Sequence, residues 1–312
     1  MATHHLPLNR DTLHGAFSAE FPPALTVNSG DTVTFQTLDA RWFIEPPIEE
    51  QIDPVLFEPR DPVLDSGHAL CGPIAVRGAK PGMMLEIVFN EIRPASWGWV
   101  YAGGGYPAHN PRLGVDANKR ILHRWELDVD KMIGRNQHGH QVALNPFMGV
   151  IGMPPAPTGI YRTTPPYLSG GNIDCKELVV GSRLFLPIMA DGGLLSVGDG
   201  HAIQGDGEVN GVAIECPMAH GSMTLTLHEK ALLTTPYAHT PAGWVTFGFN
   251  HDLNVATEFA LSKMLDLMMQ IHNLTRHDAY ALASLVVDMR VTQIVNQVKG
   301  VHAIMSHDAF IV

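Results

Sequence analysis

Asp199 and His201 stand two residues apart in the segment 194–209, LLSVGDGHAIQGDGEV, and Asp206 and Glu208 repeat that spacing seven residues later. Side chains two apart on an extended backbone share a face, so a carboxylate at 199 and an imidazole at 201 can meet one cation. Both are ordinary zinc ligands. The apolar run at 194–197 predicts a strand that stops at Gly198, which puts Asp199 and His201 just past a strand end on backbone that glycine frees to bend. A purely structural account competes, because Asp-Gly pairs are common turn formers whose acids hydrogen-bond local amides. Spacing alone leaves both open.

Other chemistry-bearing residues are weaker by themselves. Asp174, in SGGNIDCKEL, precedes a predicted strand and suits an Asx-type turn. Cys175 beside it is a nucleophile if histidine partners reach it, although a cysteine next to a strand is more often simply buried. Cys71 and Cys216 have no diagnostic neighbours, and the three cysteines form no CxxC, which fits a reduced compartment. His138 and His140, in NQHGHQ, have HxH metal spacing but sit in a polar stretch that predicts a solvated loop. No GxSxG, Walker loop or strand-linked GxGxxG occurs, so neither a serine elbow nor a phosphate or nicotinamide site is indicated.

The elements that must position these groups follow from the whole chain. Its 312 residues suffice for a large core without staples. With 31 acids against 20 bases the net charge is −11, a poor match for nucleic acid or anionic membrane. There is no apolar leader-like region and no run of about 18 apolar residues, so a soluble, cytoplasmic protein is expected. Thirty glycines and 23 prolines predict many turns.

Residues 20–250 carry β-type patterning. Leu25–Val27 and 32–37 read as a hairpin around Asn28-Ser29-Gly30-Asp31, and 74–77 with 85–92 repeat the arrangement around Gly78–Gly82. Two further strand, glycine-turn, strand units occupy 176–201 and 211–230. Four such units predict packed sheets, a sandwich or jelly roll. Residues 94–115 and 145–170, rich in Gly, Pro and aromatics, are expected to be long functional loops. After residue 255 the period becomes helical, with Phe259, Leu261, Leu265, Met268 and Ile271 on one stripe. A second helix opens at Thr275 with Asp278 three residues on, a capping-box-like start, and its stripe of Tyr280, Leu282, Leu285, Val286 and Met289 is expected in the core or against another subunit. The remainder returns a strand. The expected class is α+β and β-rich, with packed sheets and a C-terminal helix pair, in one domain over 1–312 with a subdivision near residue 170.

PIMADGGLLSVGDGHAIQGDGEVNGVAIE, SGGNIDCKEL and NPFMGVIGMPP closely resemble the signature segments of the acetamidase/formamidase family, and the hairpin-like and C-terminal segments match in the same order. The resemblance implies hydrolysis of formamide- or acetamide-class linear amides to carboxylate and ammonia, a β-rich fold, homo-oligomers and a divalent metal, with zinc the expected ion and calcium a structural alternative. On matching positions it implies Asp174, Asp199 and His201 as metal ligands and Glu208, Glu215 and His201 as catalytic groups. Gln204, Asp206 and His68 become supporting polar groups. The sequence departs from the family pattern at Cys175, where threonine is expected, and at Met83, where aspartate is. A metal-free enzyme acylated at Cys175 and a non-catalytic binding protein with a structural cation are the alternatives.

Overall fold

The computed structural model describes residues 1–48, 55–104 and 109–310. Nine strands form one mostly antiparallel sheet in the order Thr3–Leu6, Asp31–Phe35, Met218–His228, Met84–Pro94, Arg183–Pro187, Tyr237–Thr240, Gly243–Asn250, Lys299–Met305 and Val287–Gln293. A second sheet runs Pro166–Tyr167, Gly170–Asn172, Phe147–Gly152, Leu195–His201, Leu70–Val76 and Leu13–His14, with Leu25–Val27 also paired to Leu70–Val76. Leu70–Val76 and Leu195–His201 are buried along their whole length, as strands covered on both faces must be. Val33, Phe35, Leu85, Ile87 and Phe89 of the first sheet and Ile74, Val76, Ile151, Leu195 and Val197 of the second share one hydrophobic core. The predicted packing of sheets is therefore present.

The predicted hairpins are not. Leu25–Val27 pairs in parallel with Leu70–Val76, whereas Asp31–Phe35 pairs with Thr3–Leu6 and Met218–His228 in the other sheet. Leu70–Val76 and Met84–Pro94 are likewise split between the sheets, as are Arg183–Pro187 and Leu195–His201. These three glycine-bearing turns carry the chain across the core from one layer to the other, whereas the fourth predicted unit has no turn at Gly221, which lies within the continuous strand Met218–His228. Alternation shows which face of a strand is buried but says nothing about which strand satisfies its backbone.

The two long loops are corrected as well. Trp97–Gly103 is a strand in a four-stranded sheet with Arg120–Asp128, Ile133–Asn136 and Gln141–Ala143, and Asn110–Leu113 is a short 3-10 turn. Positions 105–108 of that predicted loop lie outside the described residues. Phe147–Gly152 crosses the other predicted loop as a wholly buried strand.

At the C-terminus the helix Leu253–His272 is capped by Asp252, whose carboxylate accepts from the Asn254 and Val255 amides. Its buried side is Ala256, Ala260, Met264, Leu265, Leu267 and Met268, so Leu265 and Met268 of the predicted stripe are in the core while Phe259 is exposed. A Cβ on Gly248 would strike the Ala256 carbonyl, so helix and sheet approach closely enough to demand small residues there. The second helix, Arg276–Val286, starts at Thr275 as expected, with the Thr275 hydroxyl accepting from the Asp278 amide. It ends earlier than its pattern suggests, because Val287–Gln293 pairs with Lys299–Met305, giving two strands instead of one. Tyr280 and Leu285 are exposed, and Ala279 and Ala283 face the core instead. No helix among the described residues is long and apolar enough to cross a membrane.

Candidate active site

The strand that begins at Leu195 does not stop at Gly198. It continues to His201, with Gly198, Gly200 and His201 opposite Val150, Met148 and Phe147. The bend expected of the glycines falls on Asp199 itself, at φ 56°. Gly198 and Gly200 serve close approach, since a Cβ on either would collide with the Ala69 or Cys216 carbonyl. Asp174 and Glu208 also take left-handed backbone, at φ 54° and 43°. Three non-glycine residues in that region within one site represent strain of about 1–3 kcal/mol each, of the kind that accumulates where side-chain placement matters.

Those three acids converge with His201 and Glu215. Donor atoms of Asp174, Asp199 and His201 lie within 4.8 Å of one another, and so do those of His201, Glu208 and Glu215. All five residues are buried. His201 Nε2 is 3.3 Å from Asp199 Oδ1 and 3.4 Å from Glu215 Oε1. Glu215 is anchored by backbone bridges to both Trp99 and His201, which join the four-stranded sheet to the second sheet, and its Oε1 accepts from the Ala213 amide.

Gly149 forms the floor. Its carbonyl accepts from the Ile173 and Asp174 amides, tying the Asp174 turn to the strand Phe147–Gly152. A Cβ there would lie 2.5 Å from Asp199 Oδ2, 2.7 Å from His201 Cε1 and 2.9 Å from Asp174 Oδ1. The three side chains thus point into space that any larger residue would fill.

Four carboxylates around one imidazole cannot all be charged in a dry site without a counter-cation. Burial, then the Asp199 charge, pushes the Asp174 carboxyl well above the usual range, and burial followed by Asp174 does the same to Glu208. Asp199 is held ionised: burial opposes it, but the charges of His201 and His68 prevail. Burial works against the His201 imidazolium too, and the Glu215 and Asp199 carboxylates outweigh it. Asp174 Oδ1, Glu215 Oε2, Gln204 Oε1 and both His201 ring nitrogens are buried without a hydrogen-bond partner. Unsatisfied buried acceptors converging on one point, with one imidazole and several hard oxygens, fit a divalent cation, zinc among them.

A cavity of about 270 Å³ leads to this cluster, lined by His68, Asp199, Glu208 and Glu215 together with Arg41, Trp99, Tyr101, Arg120, Asn172 and Asn296. Of the supporting groups anticipated from sequence, His68 lines the cavity with its ring 2.8 Å from the Thr163 hydroxyl, and Gln204 donates to the Asp174 carbonyl at 2.8 Å. Asp206 is not brought in: it pairs with Lys176 at 2.8 Å on the partly exposed side, so the 206/208 spacing does not put both acids on one face. Cys175 is fully buried in the main core, and burial pushes its thiol up, away from the reactive thiolate. Cys71 and Cys216 are buried and free as well. His138 and His140 are exposed on a distant turn, and Met83 packs against the main core outside the cavity lining.

Several residues were missed by sequence reasoning. Asp39 is completely buried behind the site, accepting from Trp99 Nε1 at 2.7 Å and from the Phe43 amide at 2.7 Å. Burial raises its pKa to about 7, against those hydrogen bonds. Trp99 and Tyr101 share a face of one strand, so the WGWVY alternation was the available signal. Nothing local marks Asp39, Gly149 or Asn296.

The acetamidase/formamidase family model matches residues 3–160 and 156–230. A Schizosaccharomyces pombe protein named as a formamidase is 26% identical, over 77% of this chain and 73% of its own length. The acetamidase of Mycolicibacterium smegmatis is 29% identical, over 48% of this chain and 51% of its own length. The crystal structure of a Bacillus halodurans acetamidase superposes with a TM-score of 0.84 over 97% of both chains, at 26% identity.

Proposed function

Because the chain belongs to the acetamidase/formamidase family, we propose that it hydrolyses the C–N bond of short linear amides, releasing carboxylate and ammonia. We further propose that Asp174, Asp199 and His201 hold a divalent cation, zinc by its donor set, with Glu208 and Glu215 beside the reacting amide. The single observation carrying this is the convergence of five buried groups, several without hydrogen-bond partners, beside a cavity that Asp199, Glu208 and Glu215 line.

An amide is a resonance-stabilised electrophile, so its hydrolysis needs a strengthened water nucleophile, relief of charge on the carbonyl oxygen, and a proton for the departing nitrogen. A divalent cation held at the cluster supplies acidification of water and polarisation of the carbonyl. The chain supplies the rest. Glu208 faces the cavity, and burial, then the Asp174 charge, raises its proton affinity, the direction that suits a group handling a proton. It takes a proton from the attacking water and gives it to the amide nitrogen, which leaves as ammonia. Glu215, fixed at both its backbone and Oε1, holds the His201 ring in place. The strained backbone at Asp174, Asp199 and Glu208 keeps these groups aligned before substrate arrives.

Ammonia release from formamide, acetamide, propionamide and butyramide tests the proposal. Release from at least one supports it. No release from any of them by zinc-loaded protein overturns it.

A further inference from the structure

The cavity changes character from its closed end to its mouth. At the mouth the Arg41 guanidinium lies 4.9 Å from the Tyr101 ring centroid and 5.4 Å from that of Trp99, and its Nη2 donates to the Tyr101 hydroxyl at 2.8 Å. The Arg120 guanidinium lies 4.8 Å from the same Tyr101 centroid. Tyr101 and Trp99 are themselves stacked at 5.6 Å and 11°. Two cations therefore rest on one aromatic ring, and among the described residues neither forms an ion pair with a carboxylate. Stacking attracts each to the ring and holds the pair against its mutual repulsion. Among the described residues most of their N–H donors have no acceptor.

Guanidinium is the group best matched to a carboxylate, through its planar fork of donors. The cavity also exceeds what the smallest amides need. Its 270 Å³ corresponds to roughly nine waters at ~30 Å³ each, whereas formamide and acetamide have only three and four heavy atoms. Its lining is largely polar, with Asn172, Asn296, Thr164 and His68 beside the acids and the arginines.

We propose that the preferred substrate is the mono-amide of a short dicarboxylic acid, its amide at the acid cluster and its free carboxylate on Arg41 and Arg120. This rests on the amidase function proposed above and specifies the substrate of that site. The opposed charges at the two ends fix the direction of entry, since the acids repel a carboxylate that the arginines attract.

The test compares kcat/KM for succinamate with that for butyramide, which has the same reach but ends in a methyl group. A preference for succinamate of about tenfold or more is expected, the scale of one charge-assisted hydrogen bond. In Arg120→Gln and Arg41→Gln that ratio should collapse, mainly through KM for succinamate. Equal rates, or preference for butyramide, overturn the proposal while leaving the amidase function standing. Calorimetric binding of succinamate against butyramide to the Glu208→Gln protein reads the arginine pair apart from the rate of turnover, so the proposal stays testable even if no amide is hydrolysed. Tighter succinamate binding that a further Arg120→Gln abolishes supports it, and indistinguishable binding overturns it.

Discussion

Gly149 lies beneath Asp199, and a Cβ on it would stand 2.5 Å from the Asp199 Oδ2 atom. The absence of one methyl group is thus what lets Asp174, Asp199 and His201 share a point. Gly149→Ala keeps an ordinary backbone, because this glycine is not in the left-handed region. Its cost falls on the side-chain cluster. kcat/KM for the best amide is expected to drop at least about a hundredfold, as for a misplacement near 1 Å, with the thermal midpoint moving by no more than about 4 °C. Full activity in this variant would show that the three side chains need not converge.

If the proposed divalent cation is held at the cluster, chelation should abolish ammonia release and added zinc should restore it. Asp199→Asn is expected to weaken cation affinity by at least about a hundredfold, since even residues that only orient a metal ligand account for 10–100-fold. Protein that elemental analysis finds metal-free yet fully active would refute the cation's role.

Glu208→Gln removes the group proposed to carry the proton without changing the size of the side chain. kcat should fall by about 10²–10⁴-fold, the usual contribution of general acid/base catalysis, while zinc stoichiometry stays at the wild-type value. A loss below fivefold would exclude Glu208 from the proton transfer.

The fold should weaken in mild acid through His14. This ring is buried and neutral, bonded through Nδ1 to the Ala16 carbonyl at 2.7 Å and through Nε2 to the Ser196 hydroxyl at 3.0 Å, and burial lowers its pKa to about 4. An unfolded chain takes up that proton near pH 6.5, so the unfolded state binds more protons between the two values. Stability is then retained above about pH 6.5, falls as pH drops toward 4, and is fully lost below it, by up to about 3 kcal/mol. Melting temperatures from pH 7.5 to 4 should show the fall, and His14→Gln should lessen it, with the buried His302, whose pKa burial also lowers to about 4, carrying a further part. An unchanged slope in that variant would remove His14 as the cause.

Cys175→Ala tests the acyl-enzyme alternative. The thiol is fully buried in the main core, so the expected result is wild-type ammonia release with about 1 kcal/mol less stability from the lost sulfur contacts. Abolished turnover in a correctly folded variant would favour thiol chemistry instead.

Much of the site was legible because its signals are local. A period of two near Leu195, an acid and a histidine two apart, and the Thr275 to Asp278 cap all depend on residues within a turn of one another. Asp199 and His201 were identified for that reason. The same spacing at Asp206 and Glu208 misled, because the chain leaves its strand after His201 and only Glu208 turns inward, leaving Asp206 to Lys176.

By itself, then, the sequence determined the strand-rich class, the helical C-terminal part and the acids and histidine of 199–215. Tertiary structure decided the partners. Leu25–Val27 and Asp31–Phe35 join different sheets because pairing is chosen by burial against distant strands and not by the turn between them. The Gly149 carbonyl ties the Asp174 turn to the strand beside Asp199, and Glu215 meets His201 through a direct backbone bridge as it also bridges Trp99. A buried cluster of like charges is a property of the space several segments enclose, and no single segment carries a record of it.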